Sequence, residues 1–441
     1  MFEVLFYIFF LTWTGLAILG FKRPGYHAVL VFGFLVAEEI YAHRFPGLYL
    51  SNRKLPDFVT GIIALTGLIW NGNLSIKNLP TPVWLSMAIF GFTGMSVYWS
   101  LSPEFSEEQY WKIFPLTILA GIIGPLSIRS KSDIFDFVYG YLALSSIACL
   151  IFALGEKKGR SLALMSELGT LELQPLAPAQ MGGYVVLLSS VLLFKSPVRK
   201  IRGLFLVSLI LLGLYVIAST SSRGQVVAVF PILILWVPWA VSLRGLSLKS
   251  MAAICSAFAA GLATYWIIEN FNFGSRWNQR SMDSGTEFRL EMILVLFDAY
   301  INSDIATWIM GLGSGSSYSI MNAYCHNVVV EILCEIGIVG LLMYVIYTWT
   351  SFFQGIRMTW LLKGNELHLP LAGIVAMTFY DFLMSLKQGT LLAGDTFLCL
   401  NLLAMATLAA RNAKTGIQAA PDLPHIPPNM HRTEIAMVSA N

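Results

Sequence analysis

Apolar residues fall along this chain in long runs separated by short polar turns, at roughly 1–21, 27–42, 57–71, 82–101, 110–128, 134–154, 178–194, 203–219, 225–243, 250–270, 327–353, 369–386 and 390–410. Most approach the ~20 residues that an α-helix needs to cross a bilayer core. None shows the alternating pattern of a barrel strand, and lipid tolerates only backbones that satisfy their own hydrogen bonds. The pattern predicts an all-α, polytopic membrane protein of about twelve or thirteen spans. The count stays open because the second and third runs are short and polar at their edges, with Glu38, Glu39 and Asn71, so either reads equally well as a tilted or re-entrant segment. The first run ends in Lys22-Arg23 and lacks the basic start and small-residue cleavage site of a signal peptide, so it is expected to stay as a span.

Composition agrees with this class. Of 441 residues, 56% are hydrophobic and 12% charged, and the mean hydropathy is +0.69, whereas soluble chains are about 25% charged. A soluble globule of this composition could not wet its surface. Lys and Arg (28) against Asp and Glu (25) leave +3, too balanced for a nucleic-acid partner, so the placement of charge says more than its sum. The five cysteines lie mostly in apolar runs, with no disulfide framework and no CxxC pair.

Orientation follows from cations in short loops. The run Lys195, Arg199, Lys200, Arg202 is taken as cytoplasmic. Alternation then puts Arg129 and Lys131, Arg244 and Lys249, Arg357 and Lys363, and Arg411 and Lys414 on the same side. Arg44, Arg53 and Lys54 break the rule if every early run is a span. The outer face receives Glu104, Glu107 and Glu108, the loop 155–177, and the polar stretch 271–326. The chain thus divides into a transmembrane domain, 1–410, with 271–326 as its large periplasmic loop, and a Pro-rich cytoplasmic tail, 411–441, expected to be disordered.

Three places could carry chemistry. The turn Ser219-Thr220-Ser221-Ser222-Arg223-Gly224-Gln225 sets an arginine at the outer boundary, where the topology rule depletes cations. Its guanidinium suits bidentate capture of phosphate oxygens, with neighbouring hydroxyls and helix N–H groups as further donors; equally, it reads as an arginine snorkelling to lipid headgroups. In the outer stretch, Phe288, Met292, Ile293, Leu296 and Phe297 predict an amphipathic helix on the membrane. Arg276, Arg280 and Arg289 make it cationic, although Glu287, Glu291, Asp298 and Asp304 could pair with them. Gly311-Leu312-Gly313-Ser314-Gly315-Ser316 follows no strand, so it reads as a flexible turn or a close-approach surface rather than a nucleotide loop. His326, at the mouth of the next span, is either a general base or a capping or interfacial residue. Glu331 and Glu335 share one face of that span as functional groups or packing ties. There is no DxD, HExxH, P-loop, GxSxG or ligand cluster with metal spacing.

The order of these features, S-S-R-G between two spans, an outer loop with Arg289 and G-L-G, then H-N opening a helix that continues E-x-x-x-E-I-G-I-V-G, resembles the O-antigen ligase and polymerase superfamily over about Ser219 to Gly340. The resemblance implies a helical C-type glycosyltransferase fold in the bacterial inner membrane. It implies transfer of a glycan from undecaprenyl diphosphate to a saccharide hydroxyl at the periplasmic face, with inversion and with no metal, nucleotide sugar or cofactor. By position, Arg223 and Arg289 match the family's diphosphate-contacting arginines and His326 its catalytic histidine, with Ser222, Arg276, Arg280, Asn327 and Glu335 as secondary candidates. A ligase would use lipid A–core as acceptor; an O-antigen or exopolysaccharide polymerase would use a second lipid-linked repeat. A polyprenyl-linked glycan transporter is the alternative from another class, with Glu38, Glu39, Asp381 and Asp395 as intramembrane acids.

Overall fold

The computed structural model describes residues 2–44, 55–72, 79–155, 157–158, 161–166, 169–172, 176–194, 200–220, 222–242, 261, 279–323, 325–388 and 395–416. Seven of the described helices are long and apolar enough to cross a membrane, which makes the chain a multi-pass membrane protein. They include α1 (Phe2–Gly20), α7 (Lys131–Leu154), α8 (Leu176–Leu193) and α9 (Lys200–Ser219). The others are α10, which starts at Arg223 and runs on to Ser242, α14 (Val328–Leu361) and α15 (His368–Gln388). Between and beside them lie α2 (Gly25–Phe32), α3 (Phe34–Arg44), α4 (Leu55–Trp70), α5 (Thr81–Ser96), α6 (Pro103–Ile118) and α16 (Asp395–Thr415). Outside the spans sit α11 (Gln279–Ile301), α12 (Ile305–Met310) and α13 (Ser316–Met321). The expected span at 250–270 falls, save Gly261, outside the described residues.

Local sequence explains the irregular elements. The run 27–42 divides at Gly33 into α2 and α3, with Gly33 itself in helical backbone and donating to the Val29 carbonyl at 2.9 Å. Pro231 removes an amide from α10, and a π-turn follows at Ile232–Trp236. A second π-turn at Leu119–Ile123 precedes Pro125, and Asn401 Nδ2 donates to the Gly121 carbonyl at 2.6 Å. Serine 130 and Asp133 form a reciprocal capping box that starts α7. Where α8 and α9 cross, a β-carbon on Gly182 would lie 2.8 Å from the Gly213 carbonyl, and one on Gly213 would lie 2.6 Å from that of Gly182. Small residues here let the two backbones touch, the usual basis of helix packing in lipid.

Two expectations need correction. The described residues are not helical throughout as the all-α expectation has it, and the exception is the loop after α7. It holds a three-stranded antiparallel sheet, β1 (Lys157–Lys158), β2 (Ser161–Ser166) and β3 (Gly169–Glu172), with Ser166 opposite Gly169; outside lipid, short extended segments can pair locally. The tail does not begin at Arg411, since α16 runs on to Thr415, where Lys414 Nζ donates to the Leu361 carbonyl at 3.2 Å. The rest of the tail, 417–441, lies outside the described residues.

Contacts between helix termini define two ends of the bundle. At one end, Lys131 pairs with Glu366, His368 Nε2 meets the Ala240 carbonyl at 2.7 Å, and Lys414 reaches Leu361. Among the described residues, Lys131, Lys414 and the nearby Arg129 and Lys363 lie at this end. The opposite end holds the starts of α10 and α14 and the close of α15. Midway, Asp381 is buried and accepts from Gln180 Nε2 at 2.8 Å, from the Tyr184 hydroxyl at 2.5 Å and from the Cys399 thiol.

Candidate functional site

At the end opposite the loop cations, α14 is broken. Gly337 adopts φ 71 inside it, and the segment Gly311-Leu312-Gly313-Ser314-Gly315-Ser316 docks into the break. Carbonyls released there are taken up at once: Leu312 N donates to Cys334 O at 2.8 Å and Gly313 N to Glu335 O at 2.9 Å. The buried Glu335 carboxyl group accepts from Gly315 N at 2.9 Å and Ser317 N at 3.0 Å. Ser314 is tied to the turn after α5, donating its N–H to Ser96 Oγ at 3.0 Å and accepting from Ser100 Oγ at 2.8 Å. Gly311, Gly313 and Gly315 all have positive φ, and a β-carbon on Gly311 would overlap the Glu335 carbonyl. Of the two readings of this motif, close approach is the one realised. Glu335 is a tie that holds the motif.

That clamp orients the first turn of α14, on which His326 depends. Asn327 caps the helix, its Oδ1 accepting from Val329 N and Val330 N, both at 3.1 Å. The capping role left open for His326 therefore belongs to Asn327. His326 sits at φ 59, a conformation uncommon for a residue with a side chain. Such strain is often found at functional positions. Its half-buried imidazole is pushed below the ordinary 6.5, first by burial and then by the positive charges of Arg289 and Lys387. At neutral pH the ring is thus unprotonated, as a base must be.

Arg289 projects from α11, whose two apolar faces serve different purposes. Met292, Leu296 and Tyr300 are buried, whereas Phe288, Leu290, Leu294 and Phe297 are exposed, as on a helix that also meets lipid. Arg280 lies in the first turn of α11 and is described by its backbone alone; Arg276 lies outside the described residues. Arg223 is the first residue of α10, also described by its backbone. Ser222 is buried at the N-cap without capping the helix. Two described hydroxyls of this turn are turned away from the anion-donor role expected of them. Ser219 Oγ donates to Val216 O at 2.9 Å and Thr220 Oγ1 to Ile217 O at 2.8 Å, both back into their own helix.

Sequence reasoning missed Lys387. It stands in the last turn of α15, with its ammonium against Gly224 of α10 and its charge acting on His326. Asn327 Nδ2 donates to the carbonyl of Leu386, the preceding residue, at 3.0 Å. In the sequence Lys387 looks like an ordinary cation flanking an apolar run. The available signal was alternation, which places it with Arg223 on the side where cations are unusual.

Among the described residues no three His, Cys, Asp or Glu side chains converge as a metal site. Compared with protein-family models and with curated proteins, the sequence has no match, so a functional reading rests on these residues.

Proposed function

We propose that this chain is a glycosyltransferase of the O-antigen ligase type, acting on a polyprenyl-diphosphate-linked glycan at the periplasmic face of the bacterial inner membrane. The observation that carries the reading is the convergence of Arg289, Lys387 and the strained, half-buried His326 beside the turn that bears Arg223. His326 accepts the proton of a saccharide hydroxyl as that oxygen bonds to the anomeric carbon of the donor sugar. The bond from that carbon to the diphosphate oxygen breaks with inversion, and the polyprenyl diphosphate departs with the electron pair. Its developing charge falls to Arg223 and Arg289, because stabilising charge on an already activated leaving group is the main task. The cation-rich opposite end favours placing the site outside the cytoplasm. Transport is less well supported, since Asp381 is held by three donors.

The test is transfer by purified protein from undecaprenyl-diphosphate-linked glycan to lipid A–core, with a second lipid-linked repeat as the competing acceptor. Product on lipid A–core is expected. Product only on the second repeat assigns a polymerase instead, and no product on either removes the reading.

A further inference from the structure

We propose that α12 is held within the leaflet at the site end of the bundle, where it joins one face of α11 and the lipid-facing side of α14 in a single surface for acyl chains. The proposal stands apart from the donor chemistry above. It starts from the break in α14. The rod from Ile338 to Leu361 is ~36 Å long at 1.5 Å per residue, enough by itself to cross a hydrocarbon core of ~30 Å with some tilt. Gly337 therefore stands at the boundary of that core. Below it, Ile338, Leu342, Ile346, Trp349 and Phe353 are exposed along one side of the rod, as a spanning helix presents itself to lipid.

This apolar stripe does not end at the break. A β-carbon on Gly337 would overlap the Ile309 carbonyl, so α12 packs one residue from the top of the stripe. None of the six residues of α12 is buried, and Ile305, Trp308, Ile309 and Met310 are all exposed. On α11 the same character continues through Leu290, Leu294, Phe297 and Ile301, which are exposed and share one helical face. The face differs from the one that periodicity predicts, because Met292 and Leu296 turn inward. The exposed acids Glu287, Glu291 and Asp298 flank it. α11 thus has a protein side, an apolar side and an acidic side, as suits a helix at a lipid–water boundary.

The backbone here is closed in the way that lipid requires, with polar groups satisfied internally. Asp304 Oδ1 accepts from Thr307 N at 2.8 Å, Ser303 Oγ donates to Tyr300 O at 2.5 Å, and the Tyr300 hydroxyl donates to Trp308 O at 2.7 Å. Gly311 N closes the far end of α12 on Thr307 O at 2.7 Å. Trp308 Nε1 donates to the carbonyls of Tyr300 and Ile301 at 3.1 and 3.2 Å, so the exposed part of its ring is carbon. Continuity with the stripe of α14, together with this closure, assigns the surface to acyl chains. Arg289, the neighbour of Leu290, is thereby carried at headgroup height.

The experiment places a nitroxide on single introduced cysteines of the full chain in nanodiscs of phosphatidylethanolamine and phosphatidylglycerol, with wild type taken through the same labelling as the blank. Collision with oxygen, which dissolves among acyl chains, is compared with collision with a water-soluble nickel chelate. Ile309→Cys and Leu294→Cys should show the oxygen preference of Leu342→Cys, several-fold above that of Glu291→Cys on the acidic side of α11. All four positions are exposed, so the variants should keep the wild-type melting temperature. A nickel preference at either Ile309 or Leu294 overturns the proposal and returns that element to water. Shielding of either site from both reagents also overturns it, and dipolar broadening between labels would then identify a second copy of the chain as the occupant.

Discussion

Asn327 donates its side-chain N–H to the carbonyl of Leu386 at 3.0 Å, and so holds the start of α14 against the end of α15. The residues adjacent to the two partners, His326 before Asn327 and Lys387 after Leu386, owe their proximity to a bond in which neither takes part. The same Asn327 side chain caps α14 through its oxygen, so one amide sets both the helix start and the spacing of base and cation.

His326→Asn separates chemistry from backbone strain. Asparagine tolerates positive φ better than other residues with side chains, so the protein should fold, while transfer should drop by about 10²–10⁴-fold for want of a base. The check is turnover with lipid-linked donor alongside donor binding; retained turnover removes His326 from the mechanism.

Acid should act on the same residue in two ways. The imidazole is held below 6.5 in the folded chain, so activity that needs it neutral should be flat above 6.5 and decline at a lower pH. For stability, the unfolded chain takes up the proton first as pH falls through about 6.5, so the fold is progressively destabilised as pH drops from there toward the folded value, below which the effect stays constant. Melting temperature and turnover against pH, compared with His326→Asn, report both effects.

Arg223→Lys keeps the charge and loses the planar fork. Transfer should fall strongly with insertion and melting temperature unchanged. Near wild-type transfer by both Arg223→Lys and Arg223→Ala would return this arginine to a headgroup contact.

Glu335→Gln leaves one of two buried backbone donors, Gly315 N or Ser317 N, facing an amide N–H. An unsatisfied buried donor costs about 1–3 kcal/mol, so the variant should melt at a lower temperature. Gly337→Ala should also destabilise, since φ 71 strains the new residue and its β-carbon overlaps the Ile309 carbonyl. Gly91→Ala, with nothing within 4 Å, is the control and should hold or raise the melting temperature.

Sidedness can be read by labelling single cysteines with a membrane-impermeant maleimide in intact cells stripped of their outer membrane. Asn302→Cys, in the exposed turn after α11, should react, and Lys414→Cys should react only after permeabilisation. The described native cysteines, Cys149, Cys325, Cys334 and Cys399, are buried. The opposite pattern reverses the orientation.

Hydropathy alone located α7, α8 and α9, because an uninterrupted apolar run of ~20 residues has few alternatives in a membrane. It could not show the break at Gly337, which falls within such a run and is created by a segment arriving from the loop. The Asn327 cap is legible in the order H-N-V-V, where asparagine is the better N-cap. Lys387 was illegible for another reason: its partner Gly224 is distant in the chain, and a glycine does not announce what occupies the space above it. The hairpin at 157–172 and the division at Gly33 were hidden by local patterns too short to outweigh their surroundings.

The broken α14 also bears on how the protein meets bilayers of differing thickness. A long unbroken helix answers a thinner membrane by tilting, and its far end swings with it. Here the turns above Gly337 are fastened to the loop at 311–317 and through Ser314 to the end of α5. The joint at Gly337 is thus the place where tilt of the lower rod would be taken up, apart from the turns that lead to Asn327 and His326.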